Sequence, residues 1–210
     1  MRLILASGSP RRAELLRAAG YAFEIVAPDV DESVGAGEAP AAYVRRLAAE
    51  KSAAAMEIVA CPERERAAPP PERAVPDEAT ILGADTVVVV DGDILGKPKD
   101  DGEAAAMLRR LSGRPHVVMT GISLRHGPQE LGTVVTTDVY VCHLSDDDLN
   151  WYLASGEGRD KAGAYAIQGL ASRFIQRIDG SYANVVGLPV ATVAELLTSL
   201  LASNVGTDYS

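Results

Sequence analysis

Hydrophobic and polar positions change their spacing repeatedly along the chain, and each change predicts a switch between strand and helix. Short apolar runs or alternating apolar and polar residues, which are typical of strands, occur at residues 3–5, 22–26, 81–90 with a return at 94–95, 117–124, 133–142 and 173–178. Helical spacing of apolar residues occurs at residues 10–19, 40–60, 103–111, 146–153 and 189–202. Strands and helices that alternate in this way predict an α/β fold.

The loop between the first predicted strand and helix breaks a local rule. Ser9 is a suitable N-cap and Pro10 suits the first helical position, but Arg11 and Arg12 then occupy the first turn. Positive charge is unfavourable there, because unpaired N–H groups and the helix dipole are already positive. Either both arginines point into solvent, or the Ser/Gly loop and the helix end form a site for an anion such as phosphate.

The length and composition predict a single domain. The chain has 210 residues, of which 47% are hydrophobic, and we expect the domain to span residues 1–202. Five prolines in residues 61–79 predict a surface loop, and residues 203–210 are expected to form a frayed tail. No apolar run approaches the roughly 20 residues of a membrane span and no signal peptide precedes the first strand, so we expect a cytoplasmic protein without a membrane partner.

Charge and metal-ligand patterns exclude two further classes. A formal net charge of −9 argues against a nucleic-acid partner, because binding to a phosphate backbone needs clustered positive charge. An anionic small molecule needs only local basic groups, for which the candidates are Arg11, Arg12, Lys51, Lys97 and Lys161. The two cysteines lack C-x-x-C spacing and the three histidines are scattered, so neither a disulfide nor a zinc site is expected.

Two acidic features are candidates for chemistry. Asp29, Asp31 and Glu32 lie within one loop, and they are either solvated or bound to a hard cation such as Mg²⁺, which takes oxygen ligands. Asp85 interrupts an apolar strand, where a buried carboxylate is costly unless it is paired or bound to metal. The small residues before Asp85 leave room for a ligand, so we expect this carboxylate to lie at a working site.

Two further segments carry candidate ligand-binding groups. Lys51 follows Leu47 by four residues in the helix predicted at 40–60, on or beside its apolar stripe. Spacing alone favours a lysine that snorkels out of the core edge over one that reaches into a cleft. Residues 156–169 are rich in glycine and contain Lys161 and Gln168, which is more typical of a ligand-contacting loop than of a core element.

Short motifs occur along nearly the whole chain: Ser7-Gly8-Ser9-Pro10-Arg11-Arg12, Arg46-Leu47-Ala48 with Lys51, Ala84-Asp85-Thr86, Gly96-Lys97-Pro98, Leu111-Ser112-Gly113, His116 with Thr120-Gly121, Asp160-Lys161-Ala162-Gly163-Ala164-Tyr165-Ala166-Ile167-Gln168-Gly169, and Asn184-Val185-Val186-Gly187-Leu188-Pro189. Taken together, these motifs resemble those of the Maf family of nucleoside triphosphate pyrophosphatases, also described as septum-formation inhibitors. They occur in the order of the family, which makes a chance match untenable.

The resemblance implies a fold, an activity and a substrate group. The fold is shared with inosine triphosphate pyrophosphatases: an elongated mixed sheet with flanking helices, in two lobes around a central cleft. The activity is hydrolysis of a nucleoside triphosphate to the monophosphate and pyrophosphate with a divalent metal, Mg²⁺ or Mn²⁺. Arg11, Thr86 and Gln168 stand where family members that act on dTTP and UTP carry the same residue types. A homodimer is also expected at the level of the family.

The resemblance also implies roles for individual residues. Asp85 is expected to act as the general base, directly or with the help of the metal, which Glu32 and Asp85 would hold. Arg11, Thr86 and Gln168 are expected to read the base, since the amide of Gln168 can both donate to and accept from a uracil or thymine edge. The remaining groups, expected around the triphosphate or elsewhere in the substrate site, are Ser7, Arg12, Lys51, Lys97 and Lys161, with Lys51 and Lys97 counted as catalytic.

Two other functions are compatible with the same residues. One is a non-catalytic, nucleotide-binding regulator of septum formation, and the other is a pyrophosphatase directed at purines such as methylated GTP or inosine triphosphate. Pyrophosphate release by the pure protein separates the first from an enzyme, and a panel of triphosphates separates the second. The chain departs from most relatives at residues 61–79, a longer insert that bears on cleft access or the dimer surface.

Overall fold

The computed structural model describes residues 1–60 and 79–205, which form a mixed seven-stranded sheet with helices packed against it. The strands are β1 (Leu3–Ala6), β2 (Glu24–Ile25), β3 (Thr80–Val90), β4 (Asp93–Leu95), β5 (Pro115–His126), β6 (Gln129–Val141) and β7 (Ile175–Asp179). The helices are α1 (Pro10–Ala18), α2 (Pro40–Ala60), α3 (Asp101–Leu111), α4 (Asp146–Ser155), α5 (Tyr182–Val186) and α6 (Val190–Val205), with short 3₁₀ turns at Ala162–Ala164 and Leu170–Phe174. The predicted α/β class is confirmed.

The sheet has an opening along one edge of β3. Its strand order is β2-β1-β3-β5-β6-β7, and β5 pairs with β3 along almost the whole of that strand. On the other edge of β3, β1 runs parallel to residues 80–83 and β4 runs antiparallel to residues 88–90. Within the described part of the chain, residues 84–87 therefore have no strand beside them on this edge. Asp85 and Thr86 lie in this opening.

The two faces of the sheet pack against different helices. Ile4, Ala6 and Ile81 pack with Ala55 of α2 on one face. Their strand neighbours Leu3, Leu5 and Leu82 pack with α1 and α6 on the other, and α3 and α4 cover the far end of β3, β5 and β6. Because side chains alternate along a strand, Asp85 is on the α2 face and Thr86 is on the α1 face.

Two glycines allow the backbone of α2 to touch the sheet. A Cβ built on Gly83 of β3 would lie 2.2 Å from the carbonyl oxygen of Ala48, and one on Gly121 of β5 would lie 2.1 Å from that of Val44. Gly121 is the strand partner of Asp85. Any side chain at these two positions would push the helix outward, so the glycines fix how closely α2 approaches Asp85.

Local signals set several element boundaries correctly. The predicted helix at 40–60 is observed as α2, and Asp91 and Gly92 form the β3–β4 turn with positive φ values of 55° and 84°. Ser145 and Asp148 form a full capping box at the start of α4. Ser9 holds the N-cap position of α1, but its side chain makes no capping hydrogen bond, since Ser7 and Arg12 organise this loop instead.

Other boundaries differ from the prediction. Helix α6 continues to Val205, so the first residues of the stretch expected to be frayed, 203–205, are helical, and residues 206–210 lie outside the described residues. Of the predicted Pro-rich loop at 61–79, only Ala79 is described. The short helix α5 was not predicted, because its five residues carry no resolvable period. None of the described helices is long and apolar enough to cross a membrane.

We predict that Gly121→Ala destabilises the protein by about 1–3 kcal/mol, because the new methyl group would collide with helix backbone that has no side chain to rotate away. Urea unfolding measures the change. Gly96→Ala is the matched control, since a Cβ there meets no atom within 4 Å. Equal stability of the two variants would contradict the proposed contact between α2 and the sheet.

Candidate active site

A cleft of about 630 Å³ lies at the opening in the sheet, and every residue predicted to be functional lines it. These residues come from the turn after β1, α1, the loop before α2, α2 itself, β3, the segment after β4, and the loop after α4: Ser7, Arg11, Arg12, Glu32, Lys51, Asp85, Thr86, Lys97, Lys161 and Gln168. Residues as far apart in sequence as Ser7 and Gln168 thus meet in one cavity.

Lys51 joins the two carboxylates that were expected to work together. Its Nζ lies 2.6 Å from Oδ1 of Asp85 and 2.6 Å from Oε1 of Glu32. Lys51 is only 8% exposed, and Asp85 is 7% exposed. The interpretation in which Lys51 snorkels into solvent is therefore wrong: the approach of α2 at Gly121 turns this side chain inward, toward a carboxylate on the facing strand.

The cations of the cleft lower the pKa of the Glu32 carboxyl. Partial burial alone would raise the pKa of its carboxyl, but the hydrogen bond and charge of Lys51, with smaller contributions from Lys97 and Arg12, outweigh burial and lower it. Formally, two carboxylates and one ammonium leave one negative charge at this point of the cleft. One oxygen atom of Glu32 and one of Asp85 contact the same ammonium there.

The loop that carries Glu32 is tied to α2 by Tyr43 and Arg46. The hydroxyl of Tyr43 donates to the backbone carbonyl of Glu32 at 2.8 Å. Burial, followed by the charges of Asp85 and Glu32, raises the pKa of Tyr43 to about 12. Arg46 donates to both carboxylate oxygens of Glu38, at 2.7 and 2.8 Å, and to the carbonyl of Ser33 at 3.0 Å. This loop is therefore held in place, although Glu32 itself is half-exposed.

Arg12 carries a buried positive charge whose hydrogen-bond partners are all neutral. It is 9% exposed, and it donates from Nε to the carbonyl of Gly187 at 2.8 Å, from Nη1 to Ser7 Oγ at 2.9 Å and from Nη2 to Thr86 Oγ1 at 3.1 Å. Burial lowers its pKa, and in the described part of the chain no carboxylate pairs with it directly. Two of its five N–H groups remain, one on each Nη nitrogen.

The start of α1, like the guanidinium of Arg12, favours an anion in this part of the cleft. Ser7, Gly8, Ser9 and Pro10 line the cleft beside Arg12, and the unpaired N–H groups of the first helical turn belong to the same end of the helix. Of the two interpretations left open by the sequence, the structure supports an anion site for Arg12, which does not point into solvent. Arg11 is partly exposed and lies 3.7 Å from the carboxylate of Asp160.

The opposite wall of the cleft is the glycine-rich loop that contains Lys161 and Gln168. Lys161 contacts the carboxylate of Asp160, and Gln168 is exposed at the rim. Tyr165 anchors the loop through its hydroxyl, 2.8 Å from Nε2 of His116 in β5. Burial lowers the pKa of His116 to about 4, so its ring is neutral at pH 7. Gly163 has a φ of +67° and donates to the carbonyl of Gly96 at 3.0 Å.

Sequence reasoning assigned no role to the residues that hold the predicted site groups in place. The supporting residues are Tyr43, Arg46, His116, Thr120, Asp160, Tyr165 and Gly187. Several of them stand inside the motifs on which the resemblance depends, but a motif does not say which of its members reach the cleft. The contact of Arg12 with Gly187 spans 175 positions, a separation that no local pattern encodes.

Comparison with known proteins places these features in one family. Residues 2–200 match the family model described as Maf-like protein. A dTTP/UTP pyrophosphatase of Shewanella oneidensis is 46% identical over 203 residues, which cover 94% of this chain and 97% of the relative. The enzymes of the same name from Vibrio cholerae and Symbiobacterium thermophilum are 46% and 47% identical, over 93% of this chain and 96% and 92% of theirs. Since these matches extend over nearly its whole length, the chain belongs to the Maf family.

Proposed function

We propose that this protein hydrolyses pyrimidine nucleoside triphosphates, dTTP and UTP foremost, to the monophosphate and pyrophosphate. The observation that carries the proposal is the buried guanidinium of Arg12, which has only neutral partners and lies in one cleft with the Asp85–Lys51–Glu32 group. Such a cleft can bind an anion beside carboxylates that can activate water. The proposed substrates, dTTP and UTP, are inferred from the names of the relatives.

The cations of the cleft are arranged to bind a triphosphate on an otherwise acidic protein. Arg12 has two N–H groups left for phosphate oxygens, and Lys97 and Lys161 line the same cavity. A cation about 4 Å from a phosphate oxygen contributes on the order of 4 kcal/mol at an effective dielectric constant of 20, before desolvation is subtracted. Several such contacts suffice to hold a tetra-anion despite the net charge of −9.

Asp85 is the residue proposed to activate the attacking water. It is a buried carboxylate whose orientation is fixed by Lys51, on the face of the sheet that the α2 helix covers. As general base, it accepts a proton from a water molecule that attacks the α-phosphorus. Pyrophosphate leaves, and the cations that bound the triphosphate stabilise the charge that develops on it.

The carboxylates fit the divalent metal, Mg²⁺ or Mn²⁺, that the resemblance implies. Glu32 and Asp85 present hard oxygen donors that converge within hydrogen-bond distance of one ammonium, and the group carries a net negative charge. Mg²⁺ is bound by one or two protein carboxylates together with phosphate and water, and Glu32 and Asp85 supply two. When bound, the metal would neutralise phosphate charge and make water more acidic.

The glycine-rich loop at residues 156–169 is proposed to select the base of the nucleotide. Gln168 offers one amide donor and one amide acceptor at the rim of the cleft, which complements the carbonyl and N–H groups of uracil or thymine. Arg11 lies on the other side of the opening, linked to this loop through Asp160. The homodimer and the cytoplasmic location expected from the sequence stay predictions.

We predict that Asp85→Asn lowers the turnover of dTTP by on the order of 10²- to 10⁴-fold, because an amide cannot accept the proton of the attacking water. Pyrophosphate release by the pure protein with Mg²⁺ measures this, and thermal unfolding checks the fold. Asp138→Asn, in β6 and outside the cleft, is the matched control and keeps wild-type turnover. Near-normal turnover of Asp85→Asn would remove Asp85 as the base. Wild-type protein that releases no pyrophosphate from any triphosphate would leave a nucleotide-binding regulator as the better description.

We predict that Gln168→Glu weakens the use of dTTP and UTP relative to other triphosphates by about tenfold, because a carboxylate cannot donate to a base carbonyl. A panel of pyrimidine and purine triphosphates, with kcat/KM for each, measures the preference. An unchanged ranking would exclude Gln168 from base recognition, and a ranking led by purines in the wild type would contradict the proposed substrate.

A further inference from the structure

We propose that Thr86 and Thr120 are positioning residues for the Arg12 guanidinium, and that Thr86 acts on the substrate through this arginine and not by reading the base. The inference deepens the proposed function and depends on it for the identity of the bound anion, a triphosphate. It changes the role that the resemblance implied for Thr86. It also gives a function to Thr120, a completely buried residue outside the cleft lining.

The hydroxyl of Thr86 is already committed within the protein. Its Oγ1 accepts from Arg12 Nη2 at 3.1 Å, lies 2.9 Å from Thr120 Oγ1 and lies 3.3 Å from the carbonyl oxygen of Gly187. A hydroxyl has one proton, and here that proton goes either to Thr120 or to Gly187. Thr86 therefore has no proton for the carbonyl oxygens that make up most of the polar edge of uracil or thymine.

Thr120 connects this hydroxyl to a buried framework. It is the direct strand partner of Thr86 in β5, and its Oγ1 also lies 3.3 Å from the backbone carbonyl of Asn184 in α5. Asn184 is fully buried and donates from Nδ2 to the carbonyl of Val118 at 3.1 Å and to Thr137 Oγ1 at 2.9 Å. Hydrogen-bond contacts thus connect Arg12 through the hydroxyls of Thr86 and Thr120 to Asn184, which is itself bonded to the sheet.

Gly187, directly after α5, also holds the guanidinium of Arg12 in place. Its carbonyl oxygen accepts from Arg12 Nε at 2.8 Å and lies 3.3 Å from Thr86 Oγ1. Gly187 has a φ of +125°, a conformation that side-chain-bearing residues rarely adopt, and this conformation directs the carbonyl at the guanidinium. Three oxygens, directly after β1, in β3 and directly after α5, therefore hold Arg12, which leaves its two remaining N–H groups to bind phosphate in the cleft that Arg12 lines.

Replacing Thr86 or Thr120 by valine removes the hydroxyl and keeps the shape of the side chain. Either change should make the position of the Arg12 guanidinium less fixed. Thr86→Val leaves one buried N–H of Arg12 without a partner, and Thr120→Val removes the shorter of the two contacts that fix the Thr86 hydroxyl on the side away from Arg12. Both changes weaken the contact between Arg12 and phosphate, so all triphosphates lose affinity to the same degree. A base-reading role for Thr86 would instead change the ranking of the bases.

Binding of inorganic tripolyphosphate, which has no base, separates these two roles. Isothermal titration calorimetry with Mg²⁺ is expected to show affinities reduced by roughly 10- to 100-fold in Thr86→Val and in Thr120→Val, with the same factor for a non-hydrolysable analogue of dTTP. Thr86→Ser and Thr120→Ser should recover most of the loss. Thr80→Val, a buried hydroxyl in the same strand that contacts His126 and not Arg12, is the matched control with unchanged affinity.

A double-mutant cycle with Arg12→Lys provides a second test. Lysine keeps the charge but has no planar fork for Thr86 to hold, so the Thr86→Val loss should nearly vanish in the Arg12→Lys background. Unchanged tripolyphosphate affinity in both valine variants, or full additivity with Arg12→Lys, would overturn the inference. Failure of the wild type to hydrolyse dTTP would contradict the proposed function alone, because tripolyphosphate affinity does not depend on turnover.

Discussion

The structure depends on one shared proton donor: the ammonium of Lys51, buried between Asp85 and Glu32. A carboxylate within a strand of apolar residues is stable only with such a partner. The partner can reach it because Gly83 in β3 and Gly121, directly across the ladder from Asp85, allow the backbone of α2 to touch the sheet. The chemistry of the cleft therefore depends on two positions of the sheet that carry no side chain.

The cleft divides into two complementary electrostatic halves at the opening of β3. On the α2 face, carboxylates outnumber the ammonium between them, so this half favours a cation. On the α1 face, a guanidinium is held by hydroxyl and carbonyl oxygens alone, so this half favours an anion. Because Asp85 and Thr86 are consecutive, one strand supplies groups to both halves. A triphosphate with a divalent metal carries the matching pair of charges.

Much of the fold and the membership of the site followed from sequence, but the contacts within the site did not. The α2 boundaries and the Asp91-Gly92 turn were predicted because capping, period and turn chemistry are local. The site residues came from motif resemblance, which names residues without assigning their partners. Spacing gave the wrong orientation for Lys51, because it depends on Gly121 in a distant strand. The environment of Arg12 likewise depends on Gly187, 175 positions away.

The central claim is that this cleft directs water at the α-phosphorus of a bound triphosphate, and the position of oxygen transfer tests it most directly. Hydrolysis of dTTP by the pure protein in ¹⁸O-labelled water, followed by mass spectrometry of both products, locates the attacked phosphorus. We expect the label in dTMP and none in pyrophosphate. Label in pyrophosphate, or release of dTDP with labelled inorganic phosphate, would contradict the claim.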